Sequence, residues 1–153
     1  MQIDLDLILA IAHHIAVFLL VGLFAAEFTM IRPGLSGSRI TQLARIDATY
    51  GAVAALVIAI GLLRVTFGAS GWSYYAGNHM FWAKMAAFAI MGFLTIPPTI
   101  AIRQWVGATR RDPDFAPALA DITRNRRFVH LQAAMLLLIP SFAAAMARGY
   151  GAL

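Results

Sequence analysis

The residues able to do chemistry in this chain are few, and they fall into two groups. One holds His13, His14 and Lys84, with Arg64 and His79 nearer the surface; the other holds Glu27, Arg45, Asp47 and Tyr50, with Arg103 and His130 towards the same face. Cysteine is absent, which excludes a disulfide framework, a thiolate metal site, an iron–sulfur cluster and a cysteine nucleophile. With few carboxylates besides, a neutral imidazole is the natural metal ligand here. Lys84 and Arg64 are cations of the kind that pair with the acidic groups of a cofactor. Glu27, Arg45 and Asp47 suit a structural ion pair that ties two helices together.

These side chains must be positioned by elements that face lipid. The chain has 153 residues, 61% hydrophobic and only 12% charged, with a mean hydropathy of +0.75. A soluble domain carries about a quarter charged residues, so the apolar residues here must meet the bilayer as well as each other. One all-α transmembrane domain over 1–153 is expected, a four-helix bundle with spans near 5–31, 48–67, 80–102 and 128–147. Each is about long enough to cross a hydrocarbon core. The first run follows an acidic Met1-Gln2-Ile3-Asp4 segment and reads as a retained span, not a signal peptide. Pro97, Pro98 and Pro140 are expected to kink the third and fourth spans, with neighbouring helices satisfying the freed carbonyls.

Loop charges give an orientation. The first loop carries Arg32, Arg39 and Arg45; the third carries Arg103, Arg110, Arg111, Arg124, Arg126 and Arg127; the second, near 68–79, carries neither lysine nor arginine. The positive-inside rule places loops one and three in the cytoplasm, with both termini and the Trp72-Ser73-Tyr74-Tyr75 segment outside. A bacterial inner membrane is the expected location. The net charge of +5 is almost all arginine, and it records topology and contact with anionic headgroups, not nucleic acid. The third loop is the one stretch long enough to be mobile.

Ionisable residues inside a span are costly, face the bundle interior and mark function. His13 lies roughly 12 Å down the first helix and Lys84 roughly 6 Å down the third, entering from the same side. The two can share one outer cavity. Consecutive histidines point about 100° apart, so one of His13 and His14 faces inward. An inward histidine in a four-helix membrane bundle suits b-type haem, with Arg64 and Lys84 placed for the propionates. The plainer reading has the histidines bonded to carbonyls of an adjacent helix and Lys84 snorkelling to the interface. Glu27, fourteen residues after His13, returns to within about 40° of the same face. That face can carry a proton path, but a Glu27–Arg45 pair is the favoured reading. Asn78 is expected to cap the helix that His79 opens.

Several stretches together resemble a family of small bacterial predicted membrane proteins without an assigned activity: Ala12-His13-His14-Ile15, Ala26-Glu27, Ala44-Arg45-Ile46-Asp47 with Tyr50-Gly51, Gly61-Leu62-Leu63-Arg64-Val65, Phe81-Trp82-Ala83-Lys84-Met85 and Met146-Ala147-Arg148-Gly149. The resemblance covers nearly the whole chain and implies a fold. More distantly, the first-helix histidine and the Trp82-Ala83-Lys84 opening of the third helix are similar to the HemJ-type membrane protoporphyrinogen oxidase. That similarity implies haem b, with the functional histidine at His13 or His14 and the functional lysine, a catalytic candidate, at Lys84. The chain departs from that pattern at the histidine doublet, in the spacing to Gly22, and at Ala26-Glu27-Phe28 after the first helix.

Three function classes follow. The first is a haem b-binding redox protein with an unidentified electron donor or acceptor. The second is a small proton- or ion-coupled transporter using Glu27, Lys84 and the histidines. The third is a structural or assembly subunit whose polar clusters fix helix register. Four spans in so short a chain also suit a homodimer.

Overall fold

The computed structural model describes residues 4–68 and 71–152. Its elements are α1 (Leu5–Met30), α2 (Ser38–Phe67), the short α3 (Gly71–Ala76), α4 (His79–Arg111) and α5 (Leu119–Ala147). All but α3 are long and apolar enough to cross a membrane. The fold is therefore all-helical with four membrane-spanning helices. α1 pairs closely with α2 and α4 with α5, α2 meets α4 between the pairs, and α1 touches α5 more sparsely. An even number of passes returns both termini to one end of the bundle.

Spacing explains the packing. Ala16, Leu20, Phe24 and Glu27 are the buried residues of α1; Leu43, Asp47, Tyr50, Val53 and Val57 line α2; Ile122, Asn125, Val129 and Gln132 line α5. Each series advances by three or four residues, so each helix buries one narrow stripe. The opposite faces carry large apolar groups: Phe18 is 75% exposed, Phe93 71% and Leu137 73%. A soluble protein would place polar residues there, so lipid is the solvent these faces fit.

At the end opposite the termini, the helices run further than their apolar segments. α2 begins about three turns before 48, α4 continues past 102 to Arg111, and α5 begins at Leu119, well before 128. Most of the arginines expected in loops therefore stand on helical extensions, and the expected long third loop shrinks to 112–118. Hydropathy measures the depth of lipid, not where helical hydrogen bonding stops. Likewise the aromatic segment expected as a loop is α3.

The prolines lie within continuous helix, and one freed carbonyl has a visible partner. Pro98 has no N–H for the Leu94 carbonyl, and Gln132 Nε2 of α5 donates to that oxygen at 3.1 Å. Gln132 is 1% exposed, and its Oε1 accepts from Thr95 Oγ1 at 3.2 Å.

At the termini end, Asn78 caps α4 as expected, accepting from Met80 N at 2.8 Å. Asn78 also donates to the Tyr150 carbonyl at 3.2 Å, while His79 N donates to the Gly151 carbonyl at 2.8 Å. The same residue thus opens one helix and tethers the C-terminal tail. Asn78→Ala should cost about 1 kcal/mol for the cap and should free the tail, read as faster proteolysis near Tyr150 in detergent than in the parent protein.

Candidate functional site

Of the outer group, His13, Arg64 and Lys84 come together. On α1, His13 continues the buried stripe one turn before Ala16, and its ring lies against α2 at Gly61. A Cβ at Gly61 would stand 3.5 Å from His13 Cε1, so the absence of a longer side chain there lets the imidazole rest on the α2 backbone. Arg64, one turn further along α2, and Lys84 of α4 both lie within electrostatic range of His13. Lys84 also feels Arg64, and its Nζ sits 5.3 Å from the centre of the Phe81 ring. Three helices therefore bring an imidazole, a guanidinium and an ammonium within electrostatic range of one another.

Two buried atoms in that region have no hydrogen-bond partner among the described residues: His13 Nδ1 and Arg64 Nε. Buried polar groups are nearly always bonded, so each such atom calls for an explanation.

The doublet separates cleanly. His14 is exposed, and its Nδ1 lies 2.7 Å from the Ala10 carbonyl of its own helix. Its ring stands at 87° to that of His13. Successive residues on a helix point about 100° apart, so with His13 turned to α2, His14 must face outward. His14 is thus turned away from Arg64 and Lys84, and of the two histidines only His13 faces them. His79 opens α4 at the surface, also exposed.

The second group assembles differently from expectation. Glu27 is 1% exposed and Asp47 is 7% exposed. The two carboxylates and the Tyr50 phenol are mutually within electrostatic range. Asp47 Oδ1 accepts from Thr99 Oγ1 at 2.6 Å, and Arg103, one turn beyond Thr99 on α4, acts on the same carboxylate. The expected Glu27–Arg45 ion pair does not form. Arg45 points outward from α2, and neither Glu27 oxygen has a hydrogen-bond partner among the described residues. The reason is register: the buried face of α2 runs through Leu43, Asp47 and Tyr50, and Arg45 lies between these on the opposite side. His130 is exposed as well, its ring 5.0 Å from Phe28 and its Nδ1 2.6 Å from the Arg126 carbonyl.

His13 and Glu27 share one helix face, as their spacing implied. Between them, however, the buried stripe is Ala16, Leu20 and Phe24. No polar relay runs along α1, and the proton path envisaged there is interrupted by apolar side chains.

Sequence reasoning missed Thr95, Thr99, Gln132 and the Arg126 guanidinium, whose Nη1 donates to the Ile31 carbonyl at the end of α1 at 2.9 Å. A signal was present for the first three. Thr95 and Thr99 are four apart beside the proline pair, and Gln132 is an uncharged polar residue within an apolar run.

The chain belongs to the family described as "Predicted membrane protein (DUF2214)", whose model matches residues 5–151. No curated protein and no solved structure matches it.

Proposed function

We propose that the protein binds haem b at the termini end of its bundle and serves a redox reaction in the bacterial inner membrane. The observation that carries this reading is the proximity of His13, Arg64 and Lys84, with His13 Nδ1 and Arg64 Nε buried and without hydrogen-bond partners among the described residues. The donor set suits the group. An imidazole is a natural axial ligand to haem iron, and two cations match two propionates. His13 would hold the iron, while Arg64 and Lys84 would hold the carboxylates and fix the ring's orientation. Bound haem would supply one-electron chemistry. The protein's own contribution would be to orient the group and to set the charge around it. The distant similarity to the HemJ type points the same way and adds Lys84 as a substrate contact.

The test is a reduced-minus-oxidised visible spectrum of membranes from haem-replete cells overproducing the protein. The reading expects b-type haem bands that rise with the amount of protein. Their absence, with the protein present and folded, overturns it.

The positive-inside rule supports an orientation with the haem end outward. Because the chain has no cysteine, single substitutions report sidedness directly. Ser73→Cys should react with an impermeant maleimide in intact cells, whereas Ser36→Cys should react only after the membrane is opened. The reverse pattern overturns the orientation.

A further inference from the structure

The end of the bundle opposite the termini holds an acid that no described side chain satisfies. Glu27 is 1% exposed, and both of its carboxylate oxygens lack a hydrogen-bond partner among the described residues. The groups of the layer are oxygens and amides. From α2 come Asp47 and Tyr50. From α4 come Thr95, which lies against the Tyr50 phenol, and Thr99, bonded to Asp47. From α5 comes Gln132, bonded to Thr95.

None of the nearby cations is among the groups acting on Glu27. Arg103 acts on Asp47, Arg126 donates to the Ile31 carbonyl, and Arg45 is exposed. His130 is turned onto Phe28 with its Nδ1 at the Arg126 carbonyl. A second carboxylate therefore stands beside Glu27 where a compensating positive charge is needed. In a dry, low-dielectric interior, an acid in this situation is retained for a ligand that supplies that charge.

We propose that Glu27 and Asp47 form an exchangeable site for a small monovalent cation, a proton or a sodium ion. Glu27 supplies the open oxygens. Asp47, oriented by Thr99, supplies the second carboxylate, and Tyr50, Thr95 and Gln132 complete an oxygen-rich wall. Hard oxygen donors suit both ions and no soft metal. The site stands independently of haem at the other end, since its groups and its readout are separate.

The experiment is infrared difference spectroscopy of the full chain in a lipid film, perfused with buffers stepped in pH, then with sodium exchanged for choline at constant pH. A carboxyl band that changes with pH alone identifies the proton; one that also changes with sodium identifies sodium. Either band must vanish in Glu27→Gln and shift in Asp47→Asn. A carboxyl signal indifferent to both pH and sodium, or one unaltered in Glu27→Gln, overturns the proposal. Should Glu27→Gln fail to fold, Asp47→Asn decides the matter, because a band unmoved by that change places the exchanging carboxyl elsewhere.

Discussion

His13→Ala is expected to abolish haem binding, while His14→Ala leaves it intact. The two residues are neighbours of one type, so composition and hydropathy do not distinguish them. Their surroundings do: His13 rests on Gly61 with its Nδ1 lacking a hydrogen-bond partner among the described residues, and His14 faces outward with its Nδ1 at the Ala10 carbonyl. Loss of an axial ligand should exceed the roughly 10–100-fold cost of losing a supporting residue at a metal site. Lys84→Ala should weaken haem less, because a charge-assisted hydrogen bond contributes about 1.5–3 kcal/mol, roughly ten- to a hundredfold in affinity. Lys84→Arg should recover much of that. Haemin titration of the purified variants, followed by the Soret band, gives all four values. Equal loss in both histidine variants would mean that the doublet acts as a unit and would contradict the assignment.

The second large effect concerns stability. Gln132→Leu removes the donor to the Leu94 carbonyl that Pro98 leaves free, and it removes one of two acceptors for Thr95, the Met91 carbonyl being the other. An unsatisfied buried carbonyl costs about 1–3 kcal/mol. Measured interhelical hydrogen bonds in membranes average about 0.6 and reach about 1.7 kcal/mol. The proline makes the upper part of that range the better expectation, because the carbonyl has lost its partner within the helix. Thermal unfolding in detergent should show a lowered midpoint for Gln132→Leu. Restoring a donor inside α4 with Pro98→Ala should lessen the penalty in the double variant. An unchanged midpoint would show that the Leu94 carbonyl finds another partner.

Much of this fold was legible because the bilayer imposes length and apolarity on each span. The four helices, the Asn78 cap and the shared face of His13 and Glu27 follow from local rules of that kind. What was not legible depended on rotation and on partners. Arg45 and Asp47 are two residues apart, and nothing local says which of them faces inward; packing against α1 and α4 selects Asp47. The same holds for the histidine doublet, which required the position of Gly61 on α2. Gln132 was overlooked because an uncharged amide barely interrupts a hydropathy profile. Its role becomes apparent only once Pro98 on a neighbouring helix is seen to need a donor. The helical extensions beyond the apolar runs were missed for a different reason, since polar residues end a hydropathy signal without ending a helix.

The proposed haem b site is built on His13 at the termini end of a four-helix membrane bundle. Pyridine haemochrome analysis of the protein purified in detergent from haem-replete cells tests it most directly. Haem b is expected in stoichiometric amount in the parent protein and in His14→Ala, and none in His13→Ala. A colourless parent protein that also gives no Soret band on adding haemin would contradict it.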